Sequence, residues 1–481
     1  MELRPIARII SFLIIAMGIA MVPCALLDFA SGGQSWAVFG EIAVLAICLG
    51  GLIVIATANA RIERMSIKDA FLLTTSTWVV LPLVGSLPFM IGAPGASFTD
   101  AYFEAVSGMT TTGSTMFVGL DEMPKGTLLW RGILQWLGGL GIVIVALVFL
   151  PIMRSGGMQF FQTEGFDTLG KVLPRTLDIS KSLLTAYIGL TFACTFAYIF
   201  FGMEPFEATV HALTTVSTGG FSTRDQSFAA FSGPLEYVSA VFMILACLPF
   251  IRFIQLSRGH AGPLLNDVQA RAFLRWMVYA IALIFIYRQL TSTTPLDVNL
   301  RETTFNVVTL FSGTGYGSAD VVAWGSFPLL VIFAVGLIGG CTASTGCSIK
   351  VFRWLVVIEA IKSQIKKSSS PNSVVIPKLG GQRINDDVMS SVIAFFTFFI
   401  LSFGLLIVGL ALTGLEFKTS VTAAWTAIAN IGPAYGPEVG PTGAFDSFPI
   451  VAKWMLIFGM LIGRLEILSV FVLFTPAFWR N

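Results

Sequence analysis

Four stretches of small hydroxyl and amide residues, each closed by glycine, are the parts of this 481-residue sequence best suited to chemistry. They are Thr110-Thr111-Thr112-Gly113, Val216-Ser217-Thr218-Gly219, Ser312-Gly313-Thr314-Gly315 and Ala429-Asn430-Ile431-Gly432. None contains Asp or Glu. What they offer is oxygen: glycine takes a positive φ without Cβ strain, which lets successive carbonyls turn toward one axis. Threonine or serine adds a hydroxyl at the inner end. Such oxygens replace the water shell of a hard monovalent cation, whereas a divalent-selective site would be expected to carry rings of Asp or Glu. The expected coordinating residues are Thr111, Thr112, Gly113, Ser217, Thr218, Gly219, Gly313, Thr314, Gly315, Asn430, Ile431 and Gly432.

The elements that must position these residues are short. The four contexts read "SFTDAYFEAVSGMTTTGSTMF", "MEPFEATVHALTTVSTGGFST", "NLRETTFNVVTLFSGTGYGSAD" and "EFKTSVTAAWTAIANIGPAYGPE". Each starts polar or acidic and runs for roughly twelve helix-compatible residues, about 18 Å of helix. The hydrocarbon core is about 30 Å thick, so such a helix enters halfway. The chain then returns as non-helical backbone, tolerated at that depth only when buried in protein or lining a water-filled cavity. The plan recurs at intervals of roughly a hundred residues, an internal repeat. Four such loops around one axis make a pore constriction.

Composition agrees. The chain is 55% hydrophobic and 12% charged, with mean hydropathy +0.83, which describes a polytopic membrane protein. Ten segments are apolar enough to span: 9–27, 36–58, 70–91, 128–153, 183–201, 235–253, 272–287, 327–361 (interrupted), 388–412 and 450–474. The first, Ile9 to Leu27, exceeds a signal-peptide core of roughly 7–15 residues and reads as a retained transmembrane helix. The expected organisation is a two-helix extension at 1–60, then repeats at 66–155, 178–258, 270–365 and 384–478.

Lys and Arg collect in alternate loops: Arg61, Arg64 and Lys68; Arg154, Lys171, Arg175 and Lys181; Arg252, Arg258, Arg271 and Arg275; and a run from Lys350 to Arg383. The positive-inside rule makes that side cytoplasmic, together with both termini. Most acids fall on the other side, where a negative surface concentrates cations.

Catalysis finds little support. His211 and His260 are isolated, and no C-x-x-C, P-loop or G-x-S-x-G motif occurs. Cys24, Cys48, Cys194 and Cys247 lie in apolar runs and read as buried small hydrophobes. Gly138, Gly139 and Gly141 lie within an apolar helix and read as a close-packing face.

Two further features stand out. "GLIGGCTASTGCSIK", Gly336 to Lys350, interrupts a spanning segment. It fits either a packing face of Gly336 with Gly340 or a small-polar segment lining a pathway. Arg464 is expected halfway along the last spanning helix, where it costs at least about 2.5–3.5 kcal/mol and must face the interior or water. A buried ion pair with another helix and a positive charge beneath the constriction both fit; Glu466 points to a different helix face.

The four-fold recurrence, and the Gly315-Tyr316-Gly317 that reproduces the "GYG" of potassium-channel filters, resemble the Trk/Ktr/HKT superfamily of potassium translocators. The likeness covers essentially the whole chain, and the N-terminal pair is typical of the bacterial Trk branch. The resemblance implies an all-α integral membrane fold of four pseudo-repeats (helix, re-entrant pore helix, filter, helix) around one pore, preceded by two extra helices. It implies potassium uptake across the bacterial cytoplasmic membrane, without enzymatic activity or a covalent cofactor; potassium is the substrate. It also implies a homodimer and a cytoplasmic RCK-type regulatory ring that carries the nucleotide. Membrane lipid is the remaining contact, and no nucleic acid is involved. By this likeness Gly113, Gly219, Gly315 and Gly432 match the filter glycines, and Gly113 argues against the sodium-favouring relatives that have serine there. Asn430, Ile431 and Pro433 depart from the pattern, so the filter is only approximately four-fold. The interrupted segment becomes a gate loop with Gly336, Gly339, Gly340, Thr342, Ser344, Thr345 and Gly346, and Arg464 becomes a flux-limiting charge. The alternative from the residues alone is a sodium- or proton-coupled secondary transporter, a symporter with broken helices around a mid-membrane site.

Overall fold

The computed structural model describes residues 3–33, 35–59, 66–149, 176–440, 442–465 and 467–480. Arg61, Arg64, Arg154, Lys171, Arg175 and Glu466 lie outside the described residues, as do the inner ends of the 128–153 segment and of the 66–155 repeat.

Two helices come first, α1 (Leu3–Ala30) and α2 (Trp36–Ala56), packed along each other. One plan then repeats four times. In the first unit α3 (Ile67–Ile91) leads to short α4 (Phe98–Met109), a loop, and α5 (Lys125–Phe149). In the second, α6 (Thr176–Phe200) leads to short α7 (Pro205–Val216), a loop, and α8 (Pro234–Cys247) with α9 (Phe250–Ser257). The third has α10 (Val268–Thr291), short α11 (Leu296–Ser312), a loop, α12 (Ser326–Gly336) and α13 (Val351–Ser369). The fourth has α14 (Asp386–Leu412), short α15 (Phe417–Ala429), a loop, α16 (Ile450–Arg464) and α17 (Ile467–Leu473).

Local chemistry starts these helices where the chain needs them. Ser66 and Asp69 form a capping box at α3, Ser97 accepts from Asp100 N–H at α4, and Asp267 accepts from Gln269 and Ala270 N–H at α10. Among the described residues, α1, α2, α3, α6, α10 and α14 are each long and apolar enough to cross a bilayer.

Three expected spans are broken. The 235–253 segment is not straight: α8 and α9 meet at 97°. Pro249 is the cause, because the residue before a proline avoids the helical region, and Leu248 is extended. The 327–361 segment is interrupted as expected. The 450–474 segment stops at Arg464 and resumes at Ile467, so Arg464 sits in the last turn of α16 rather than halfway along a continuous helix. A guanidinium is favoured there by the helix C-terminus.

Burial divides into two large cores. One joins α1–α5 with α14–α17; the other joins the second and third units and takes in Trp425, Ala429 and Ile431 from the fourth. Gly138 and Gly139 of α5 pack as close contacts: a Cβ on Gly138 would overlap the Met109 carbonyl, and one on Gly139 would sit 2.8 Å from the Ser217 Cβ. A two-stranded hairpin, Lys378–Leu379 with Gln382–Arg383, buries Leu379 against Phe352 and Val356.

Candidate functional site

Each short helix ends in the same backbone sequence of events. The first residue past the helix is followed by a left-handed residue, an ordinary one, and a second left-handed residue that is always glycine. The pairs are Thr111 (φ 51°) with Gly113 (89°), Thr218 (53°) with Gly220 (79°), Gly313 (78°) with Gly315 (82°), and Asn430 (53°) with Gly432 (111°); for α11 and α15 the first of these caps the helix directly. The residue between donates its N–H five residues back, onto the short helix. These bonds are Thr112 to Ser107 O (2.9 Å), Gly219 to Thr214 O (2.8 Å), Thr314 to Thr309 O (2.9 Å) and Ile431 to Thr426 O (3.1 Å).

This places the second tetrad one residue later than its glycine suggested. Gly220, not Gly219, is the counterpart of Gly113, Gly315 and Gly432. Two consecutive glycines made both registers fit, and only the second adopts the left-handed conformation.

The four glycines close a ring. A Cβ on Gly113 would overlap the carbonyl of Gly219, one on Gly220 that of Thr314, one on Gly315 that of Ile431, and one on Gly432 would reach the carbonyl of Thr112 at 2.8 Å. Each loop therefore abuts the next in cyclic order, first to second to third to fourth to first. All twelve expected coordinating residues fall in these four loops. Thr111, Thr112, Thr218, Thr314 and Ile431 are fully buried.

The 337–350 segment lies against the deep end of the ring. Thr345 Oγ1 donates to Val216 O (2.9 Å) and Ala246 O (3.1 Å), and its carbonyl accepts from Thr218 Oγ1 at 3.0 Å. Thr342 bonds Gln269 through its N–H (3.1 Å) and hydroxyl (2.6 Å), and Ser344 bonds Cys341 O. Gly339 fits against the Cys347 backbone, and Gly340 against Gly346. Gly336 ends α12 against Trp425, while Gly340 lies in the non-helical loop. The two do not share a helix face, which removes the packing-motif reading.

Cys347 is the centre of this contact, and the sequence reading passed over it. Its sulfur lies 3.4 Å from Thr111 Oγ1, 3.6 Å from Thr111 O and 3.8 Å from Thr218 O, and its Cβ faces Gly313. Arg464 Nη1 donates to the same sulfur at 3.3 Å. Among the described residues no carboxylate pairs with Arg464, and its Nε and Nη2 lack hydrogen-bond partners. Lys350 closes the segment, donating to Ser344 O (3.2 Å) and Gly346 O (2.5 Å).

Around the shallow end, arginines and acids pair. Buried Glu104 of α4 and Arg131 of α5 meet at 2.8 Å; Glu104 also takes the Met116 N–H, and Arg131 donates to Ser222 O in the second loop. Arg224 bridges Glu207 and Asp121, Arg288 pairs with Glu302, Arg301 with Glu236, and Lys453 with Asp100. Tyr316, the middle residue of the "GYG", turns away from the ring and bonds Thr214 and Thr215 of the neighbouring short helix.

Re-entrant helix–loop units closing one ring inside a bundle of apolar helices define a polytopic membrane protein of the pore-forming, ion-translocating class. The comparisons narrow this. The family model for TrkH, a cation transport protein, matches residues 36–481, and the chain belongs to that family. It is 39% identical over 480 residues to the Trk system potassium uptake protein TrkI of Halomonas elongata, covering 99% of this chain and 97% of that protein. It is 32% identical over 489 residues to the Trk system potassium uptake protein TrkH of Escherichia coli, covering both chains fully. The crystal structure of the potassium transporter TrkH from Vibrio parahaemolyticus superposes with a TM-score of 0.91 at 32% identity, with full coverage of both chains.

Proposed function

We propose that this chain takes up potassium across the cytoplasmic membrane through a channel-like pore whose filter is the ring of Gly113, Gly220, Gly315 and Gly432 with the residues before them. The cyclic abutment of glycine against neighbouring carbonyl carries the reading. Residues of positive φ alternating with ordinary ones turn N–H groups to one side of the loop and carbonyls to the other. The N–H groups here are taken up by the short helices behind. The carbonyls of Thr112, Thr314 and Ile431 are left for the axis, where they replace the water of a cation, and that of Gly219 is shared with Gln135. Each short helix also directs its partly negative C-terminus to the same point. The names of the relatives support potassium as the cargo.

The 337–350 loop acts as the gate, since it seals the deep end of the ring through Thr345 and Cys347. Arg464 adds a positive charge there that limits cation flux. The family resemblance supports the remaining parts: a homodimer with one pore per chain, both termini cytoplasmic, and a cytoplasmic RCK-type ring that holds the nucleotide. The repeat boundaries at 66–155, 178–258, 270–365 and 384–478 complete the proposal.

Ion flux into proteoliposomes tests it, with potassium, rubidium, sodium and lithium compared with and without an imposed proton gradient. The reading expects potassium and rubidium to pass in preference to sodium and lithium, driven by their own gradient. Uptake that requires a proton or sodium gradient would replace it with a coupled transporter.

A further inference from the structure

The second loop lacks something the other three possess. At the position between the two left-handed residues, Thr112, Thr314 and Ile431 each send a fully buried side chain into the protein. Thr112 Oγ1 bonds Thr110 Oγ1 (2.7 Å) and Asn430 Nδ2 (2.9 Å), Thr314 Oγ1 bonds Ser312 Oγ (2.8 Å), and Ile431 packs on Gly336. The second loop has Gly219 there, with no side chain to anchor.

Gln135 occupies the vacant place. It comes from α5 of the first unit, is fully buried, and provides all three of the atoms nearest to where a Gly219 Cβ would stand. Its Nε2 donates to Gly219 O at 2.6 Å and its Oε1 accepts the Phe221 N–H at 3.0 Å. One turn earlier on the same face, Arg131 donates to Ser222 O and lies 4.2 Å over the Phe221 ring. The second loop is thus held from outside its own unit.

We infer that Gln135 is a specificity-determining positioning residue, one that fixes the second loop and sets how strongly its carbonyl pulls on a dehydrated cation. The inference rests on the filter reading above. Among the described residues, the carbonyls of Thr112, Thr314 and Ile431 accept no side-chain hydrogen bond, whereas that of Gly219 shares its electrons with an amide. Two effects follow from removing the amide, and they act in the same direction. The loop loses its clamp and the ring can contract around a smaller ion. The freed carbonyl also has a stronger field, which favours sodium over potassium.

The test measures potassium and sodium uptake into proteoliposomes by the full-length protein. Gln135→Leu keeps the volume and loses both hydrogen bonds, and its potassium-to-sodium ratio is expected to fall by about threefold or more. Gln135→Ala should behave likewise, and adding Gly219→Thr to it restores the missing anchor and should recover most of the ratio, since Gly219 has an ordinary φ. Gln135→Leu with less protein or slower uptake but an unchanged ratio would overturn the inference, as would a failure of Gly219→Thr to restore it. Should Gln135→Leu not fold, the Gln135→Ala/Gly219→Thr comparison decides alone. Gly113→Ser, measured alongside, separates the two levels. A shifted ratio there with an unmoved Gln135→Leu sinks only this inference; an unmoved ratio in both sinks the filter reading itself.

Discussion

Arg464, from the end of α16 in the last unit, donates a hydrogen bond to the sulfur of Cys347, 3.3 Å away in the 337–350 segment of the third. The same sulfur lies within 3.8 Å of backbone oxygens from the first and second loops, so all four units converge on it. A buried guanidinium with two nitrogens unpartnered among the described residues is a large local charge.

On the proposed reading that charge opposes a cation leaving the ring. Arg464→Ala is therefore expected to raise potassium flux, by about tenfold at the low end of what local charge does to ion arrival. Tracer uptake at matched protein amounts measures it. Lower flux with less folded protein would instead mark Arg464 as structural.

The loop that carries Cys347 is expected to hold the pore closed. Deleting residues 342–345 removes the Thr345 bonds to Val216, Ala246 and Thr218 and should increase flux through the isolated protein. Single-channel or tracer recordings that show unchanged conductance would contradict a gating role.

The register of the second loop separates two neighbouring glycines. At Gly220 an alanine must adopt φ of 79° and overlap the Thr314 carbonyl, whereas at Gly219 it meets only the Gln135 side chain. Gly220→Ala should abolish discrimination between potassium and sodium, and Gly219→Ala should retain part of it. Equal effects would return the register to Gly219.

Glu104 and Arg131 form an ion pair with side-chain exposures of 0% and 2%. Removing one partner strands a buried charge and costs about 3–5 kcal/mol. Glu104→Ala should lower the unfolding temperature in detergent, and Glu104→Ala/Arg131→Met should recover much of the loss. A double variant no better than the single would show that the pair's hydrogen bonds to Met116 and Ser222 matter more than its charges.

Much of this architecture was legible because it depends on length and on glycine. Short helices bounded by acids and glycines are local features, as are the small residues of 337–350. The register of the second loop was obscured by Gly219-Gly220, yet another local signal fixes it. Ser107, Thr214, Thr309 and Thr426 each stand six residues before the ring glycine and take the loop's N–H on their carbonyls. The break at Pro249 follows from the proline. The end of α16 at Arg464 could not be read, since Leu465 and Glu466 are ordinary helix formers. Gln135 and Cys347 were hidden for another reason: their hydrogen-bond partners lie 84 to 236 residues away, and no local pattern encodes such a contact.

The claim that four backbone loops strip and hold a cation is tested most directly by an anomalous difference map from crystals grown in rubidium. Peaks on the axis enclosed by Gly113, Gly220, Gly315 and Gly432 are the predicted result. Rubidium bound elsewhere in the molecule, with that axis empty in protein that still transports, would contradict it.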